Sequence, residues 1–178
     1  MASSLPAFTV RRGEPVLVAP AEPTPREVKP LSDIDDGEGM RFYSSGIHLY
    51  RSNPAKAGQD PARVIREALA RALVPYYPLA GRLAVSDAAG GLHVDCSGEG
   101  VWFVEAAVRC RLEDVDYLEY PLQIPKDDLL PHPLPRPSRE EENKLILLVQ
   151  VRGGLLDSSR IVRGCSDWAR IWDFLPAL

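Results

Sequence analysis

The stretch from Asp60 to Leu83 constrains this chain more than any other. Asp60-Pro61 has the chemistry of a helix start. The aspartate is a good N-cap, and proline is tolerated at the first helical position, where its missing N–H would have no partner anyway. Val64, Ile65, Ala68, Leu69, Ala72 and Leu73 then recur at helical spacing, with Arg63, Arg66, Glu67 and Arg71 off that face. Pro75 and Pro78 end the helix, because each lacks a backbone donor and disfavours the helical conformation at the preceding residue. Gly81 frees the backbone to turn. Tyr76-Tyr77-Pro78-Leu79-Ala80-Gly81-Arg82-Leu83 is therefore an apolar elbow between a capped helix and a strand. A helix with one apolar face must cover something, and the strands that follow are the expected partner.

Those strands are marked by turn chemistry on either side. Arg82–Ser86 and Leu92–Cys96 flank Asp87-Ala88-Ala89-Gly90-Gly91, which predicts a β-hairpin with a five-residue loop. Ser97-Gly98-Glu99-Gly100 turns the chain into Val101–Val108, apolar on both alternating sets as a central strand should be. The Gly98-x-Gly100 pair lacks the spacing of a phosphate loop and precedes a strand, not a helix. Leu145–Val151 reads as a second buried strand, and Met40–Tyr50 as a strand with looser alternation. Near the start, Phe8–Arg11 and Val16–Val18 surround Arg12-Gly13-Glu14-Pro15, which predicts a small hairpin or a bent strand. Leu112–Val115 suggests a single helical turn, and Trp168, Ile171, Trp172 and Leu175 have the spacing of a short amphipathic helix.

Composition bounds the function classes. The chain has 178 residues, 45% apolar and 26% charged, enough for one ordinary core or part of a larger one. Its net charge is −4, and no long basic run offers a footprint for nucleic acid or an anionic membrane. Cys96, Cys110 and Cys165 are odd in number and lack C-x-x-C spacing, which argues for reduced thiols in a reducing compartment. The first twelve residues contain no apolar signal core, and no apolar run reaches the ~18 residues of a membrane helix. A soluble, cytoplasmic protein is expected. The 17 prolines cluster at Pro15–Pro30 and Pro121–Pro137, so two stiff extended connectors are expected. Asp33, Asp35, Asp36 and Glu38 lack the spacing of a calcium loop and read as a solvated turn.

With these elements in place, the wording of several stretches becomes informative. Leu31-Ser32-Asp33-Ile34-Asp35, the elbow Tyr77-Pro78-Leu79-Ala80-Gly81-Arg82, and Val94-Asp95-Cys96-Ser97-Gly98-Glu99-Gly100-Val101-Trp102-Phe103-Val104-Glu105-Ala106 occur in that order. Leu129-Leu130-Pro131 and Leu147-Leu148-Val149-Gln150-Val151 follow. In this the chain resembles the N-terminal part of a plant BAHD acyltransferase over residues 5 to 151, nearest to the alcohol acyltransferases. The resemblance implies an α/β fold: a partial chloramphenicol-acetyltransferase-like N-terminal domain, with a mixed sheet and a packed amphipathic helix. It implies acyl transfer from an acyl-CoA thioester to a small alcohol or amine, in plant secondary metabolism. Acyl-CoA would be a co-substrate, with no bound cofactor or metal, and the family is usually monomeric. Tyr77, Pro78, Leu79, Ala80, Gly81, Arg82, Asp95, Cys96, Gly98 and Gly100 would be structural markers of the family.

The same resemblance implies a general base in a His-x-x-x-Asp motif, where an imidazole takes the acceptor's proton as its oxygen attacks the thioester carbonyl. This chain has no such motif. Four residues after His48 stands Ser52, after His93 stands Ser97, and after His132 stands Arg136. Asp173-Phe174-Leu175 does not match the family's second motif, Asp-Phe-Gly-Trp-Gly. In the family, the strand matching Leu145–Val151 leads into a Cys-Gly-Gly segment, a further strand and then the catalytic motif. Here the legible match stops at Val151, which predicts a partial N-terminal domain over 1–151 and a divergent tail over 152–178. A changed reading frame or an alternative transcript end would produce that pattern. The chain is expected to be inactive as it stands, with no catalytic residue of its own. The rival readings are a non-catalytic binding or regulatory module and a gene-model artefact.

Overall fold

The computed structural model describes residues 10–33, 35, 45–50, 55, 58–85, 91–108, 144–154 and 160–166. It holds nine strands and one α-helix among those residues. The strands are β1 (Val10–Arg12), β2 (Val16–Val18), β3 (Val28–Pro30), β4 (Ser45–Tyr50), β5 (Arg82–Val85), β6 (Leu92–Asp95), β7 (Val101–Val108), β8 (Leu147–Gly154) and β9 (Arg160–Ser166). The helix α1 spans Pro61–Ala72, and a 3-10 turn, Tyr77–Ala80, follows it. The turns expected at Leu112–Val115 and Trp168–Leu175 lie outside the described residues, as does the Pro121–Pro137 connector.

The larger sheet runs β1-β7-β8-β9-β4, with β2 also on β7. β7 and β8 are parallel, and every other pair in it is antiparallel. β1 and β2 do not pair with each other. Both lie along β7, as one bent strand. Arg12 faces Ala106 while Val16 faces Phe103, so four steps on one side oppose three on the other. That is a bulge of one residue. It falls at Glu14-Pro15, just after Gly13 N–H donates to Glu105 O at 2.8 Å, where a proline that cannot donate is tolerated.

The smaller sheet is β3-β6-β5. Its β5–β6 pair is the expected hairpin, with Leu83 opposite Val94. The Pro-rich arm before β3 is not only a connector: its end adds a third strand to β6. The two sheets meet through an Arg82–Leu145 bridge and the bond from Leu83 N–H to Lys144 O at 2.9 Å.

Helix α1 starts as its sequence dictates. Asp60 has extended backbone, and its carboxylate accepts from Ala62 N–H at 3.1 Å. The packed face differs from the expected one. Ala62, Ile65, Leu69, Ala70 and Leu73 join the core, while Val64, Ala68 and Ala72 stay half-buried beside it. Of the strands that follow it, α1 meets β8, as expected of a later strand, and on its other flank the earlier β2; both belong to the larger sheet. The elbow carries the chain off the large sheet before the hairpin begins. The core under the helix contains Val18, Val101, Phe103, Val149 and Val151, with Phe103 fully buried. β7 and β8 supply most of that surface because their apolar residues occupy both faces.

Candidate functional site: the elbow and its cleft

The marker residues expected from the sequence converge on one structural knot. The Arg82 guanidinium donates from one nitrogen to Gly81 O at 2.8 Å and to Gly100 O at 2.9 Å. Its other terminal nitrogen is 3.2 Å from the Glu99 carboxylate. The Arg82 side chain is only 15% exposed, while Glu99 is half-exposed. Burial lowers the Arg82 pKa, and the nearby Glu99 charge acts in the opposite direction. A guanidinium stays protonated under such a shift. Arg82 is thus a fixed cation that clamps the backbone carbonyls of Gly81 and Gly100 together.

Two glycines permit that clamp. A Cβ on Gly81 would overlap the Asp95 carbonyl, so the elbow can lie against the end of β6 only without a side chain. Gly100 has φ +109°, and a Cβ there would stand 2.6 Å from Val18 O. Its own N–H donates to Ala80 O at 2.9 Å. Gly98 also has positive φ and completes the turn. Cys96 lies beneath, 1% exposed, with its N–H bonded to Glu27 O at 2.9 Å. Burial raises its thiol pKa, with Glu27 adding to the effect, so this cysteine is a core residue and a poor nucleophile.

Beside the knot opens a cleft of about 410 Å³. Leu31, Tyr76, Tyr77, Leu79, Val94 and Ile146 form its mostly apolar wall. At its rim the Tyr77 hydroxyl donates to Glu27 Oε1, Lys29 Nζ stands 3.0 Å from the same carboxylate, and Lys29 lies 5.5 Å above the Tyr77 ring. The Tyr77 hydrogen bond, then Lys29, lowers the Glu27 pKa; the Glu27 bond raises those of Lys29 and Tyr77. This triad joins residues fifty positions apart in sequence, and no local signal announced it.

Among the described residues the two histidines lie in different sheets. His48 is half-buried in β4, opposite Val162 of β9. His93 is half-buried in β6, between Ala84 of β5 and Pro30 of β3. His132 and Cys110 lie outside the described residues. The acidic turn closes with Ser32 Oγ 2.7 Å from Asp35 Oδ2, and no group of three or more metal-ligating side chains occurs among the described residues. No helix among them is long and apolar enough to cross a membrane.

Comparison with known proteins identifies what the knot belongs to. The model of the Transferase family matches residues 8–165, beyond the Val151 limit of the legible resemblance. Acyl transferase 7 of Oryza sativa subsp. japonica is 51% identical over 191 aligned positions, which cover 100% of this chain and 44% of that protein. Benzyl alcohol O-benzoyltransferase of Petunia hybrida is 43% identical, covering 99% of this chain and 38% of its own length. Among solved structures, vinorine synthase superposes with a TM-score of 0.67 at 25% identity, over 89% of this chain and 38% of that one. TRI101 of F. sporotrichioides, solved with coenzyme A and T-2, shares the fold with a TM-score of 0.55 at 18% identity, over 79% and 36% of the two chains. The chain therefore spans less than half the length of the curated relatives it matches most fully. Family model, relatives and fold agree, and the chain belongs to the plant acyltransferases of the Transferase (BAHD) family.

Proposed function

We propose that this chain is the N-terminal part of an acyl-CoA-dependent acyltransferase of plant secondary metabolism, and that as it stands it does not turn over. The reaction of the intact scaffold would be transfer of an acyl group from a coenzyme A thioester to a small alcohol or amine. The coenzyme A in the TRI101 structure and the alcohol named for the Petunia relative support that chemistry. Residues 1–151 carry the family-like wording; residues 152–178 carry the divergence. A cytoplasmic monomer is the corresponding state, in keeping with the free, buried Cys96.

One observation carries the inactivity: no histidine of the 178 residues is followed by an aspartate at the fourth position. Without a neutral imidazole at that seat, nothing of matching basicity takes the acceptor's proton. Incubating the purified chain with benzoyl-CoA and benzyl alcohol, and reading released thiol, is expected to give the no-protein rate. Turnover above that rate overturns the proposal.

A further inference from the structure

Strand β3 turns its residues to the opposite sides from those their chemistry suggests. Lys29 lies directly opposite Val94 of β6, and Val94 lies opposite Leu83 of β5, so the three share one face of the smaller sheet. That face is the apolar one. Val94 is buried with Ile146, and Leu31, Leu79 and Leu83 pack against the pair. Val28, the apolar neighbour of Lys29, is instead 62% exposed. A lysine thus stands over a hydrophobic cluster while a valine one residue away meets solvent.

An inward charge blunts an edge strand against pairing with another chain. Edge protection does not require the ammonium to be held in place, and here it is held. Lys29 Nζ is 3.0 Å from the Glu27 carboxylate and 5.5 Å from the centre of the Tyr77 ring. The Tyr77 hydroxyl donates to the same carboxylate. Lys29 lines the cleft and Glu27 does not, so Lys29 is the one charged group among the described lining residues. The Glu27 bond raises the Lys29 pKa and keeps the ammonium protonated. An ammonium has more donors than that bond uses. The mouth of an apolar cleft therefore carries a positioned cation with donors beyond those Glu27 engages.

We propose that this cleft binds a small aryl carboxylate, with the ring in the cleft and the carboxylate on Lys29 Nζ. Its volume of about 410 Å³ lies in the range of small-molecule sites. Pro30, Pro75 and Pro78 stiffen its walls, so the shape is preformed and little ordering opposes binding. Tyr76 and Tyr77 offer ring faces and edges to an aromatic guest. A cationic guest is repelled by Lys29, and a neutral one gives the ammonium no anionic partner. Glu27 already offsets part of the Lys29 charge, which suits a single negative charge and not a dianion. The site is built from residues of this chain alone and uses no histidine, so it stands apart from acyl transfer and from the inactivity proposed above.

The test titrates the full chain with phenylacetate, and with phenylethanol as its neutral counterpart, by calorimetry and by NMR. At low salt the carboxylate is expected to bind about tenfold more tightly than the alcohol, the effect of one charge-assisted hydrogen bond at a half-exposed site. The preference should shrink as salt is raised. Lys29→Gln should bring the carboxylate down to the affinity of the alcohol. Leu31→Trp, which fills the cleft from a half-buried position, should abolish binding of both, with the far-UV spectrum and melting temperature of each variant checking the fold. Intermolecular NOEs from the phenyl protons to the Val94 and Ile146 methyls locate the ligand without any substitution. Equal affinities for acid and alcohol, a preference that survives Lys29→Gln, phenyl contacts away from those methyls, or no binding of phenylacetate would each overturn the proposal. None of these outcomes bears on the acyl-transfer reading, which the released-thiol assay tests separately.

Discussion

The Arg82 guanidinium donates to Gly100 O at 2.9 Å, and Gly100 N–H donates to Ala80 O at the same distance. The elbow and the turn before β7 are therefore bonded to each other in both directions. Arg82 reads the turn's carbonyl, and the turn's amide reads the elbow. This reciprocity explains why the elbow holds its shape although its 3-10 turn has no side-chain cap.

Removing the clamp should be costly. Arg82→Ala deletes two hydrogen bonds from a charged donor and leaves two carbonyls in a largely dry setting. Each such bond contributes roughly 1.5–3 kcal/mol, so a loss of about 3 kcal/mol is expected in urea unfolding. Glu99→Gln removes only a half-exposed ion pair and should cost about 1 kcal/mol or less. Similar losses for the two variants would show that the ion pair, and not the carbonyl clamp, dominates.

The glycines separate steric from conformational cost. Gly81 has ordinary extended backbone, so Gly81→Ala is opposed by the Asp95 carbonyl alone. Gly58 has φ +84° and nothing within 4 Å of a Cβ, so Gly58→Ala meets only the left-handed penalty. The expected losses are about 3 kcal/mol or more at Gly81, from overpacking against rigid backbone, and about 1 kcal/mol at Gly58. Thermal unfolding of the two variants side by side measures the difference, and a larger loss at Gly58 would refute this account.

These contrasts mark what was legible in the sequence. Local signals sufficed where the physics is local: Asp60 and Pro61 start α1, and the β5–β6 hairpin follows from its turn residues. The apolar run Val101–Val108 announced a central strand, and it became β7. Long-range placement was not legible. The apolar spacing placed Ile65, Leu69 and Leu73 correctly, but nothing in it says that the helix turns Ala62 and Ala70 toward the core and leaves Val64 beside it, because that choice is made by β2 and β8. The turn chemistry around Gly13 left a hairpin and a bent strand both open, and only the pairing of β1 and β2 along β7 decides for the bent strand. At the site, the marker residues were identified by wording, but the clamp that unites Arg82, Gly81 and Gly100 needed coordinates. The strand β9 was missed for a chemical reason: Arg160, Arg163, Gly164 and Ser166 dilute its apolar alternation.

The cap on α1 predicts a modest and separable effect. Asp60→Ala removes the bond to Ala62 N–H and leaves that helix start unsatisfied. A loss of about 1 kcal/mol is expected, and Asp60→Ser should recover most of it. Chemical denaturation of the pair checks this. Equal stability of Asp60→Ala and the unmodified chain would mean that solvent satisfies the amide equally well.

The cleft rim predicts a pH signature. The folded-state pKa of Glu27 lies below its ordinary value, chiefly through the Tyr77 hydroxyl and secondly through Lys29. A depressed carboxyl contributes stability above its unfolded pKa, and that contribution is lost as pH falls through the folded value. The Lys29 and Tyr77 pKa values are raised, chiefly through Glu27, so their contributions are present below their unfolded values and fade as pH rises through the folded ones. The triad should therefore add stability between the two limits and lose it at both ends. All three groups are solvent-accessible, so the effect should be small and should shrink as salt is raised. Tyr77→Phe removes the largest cause of the Glu27 shift while keeping the ring under Lys29. Its unfolding midpoint should differ most from that of the unmodified chain near neutral pH, and the difference should narrow below the carboxylate range and above the phenol range. A difference that stays constant from acid to alkali would assign the Tyr77 effect to packing against Leu79 and Ile146, and not to the charge-linked hydrogen bond.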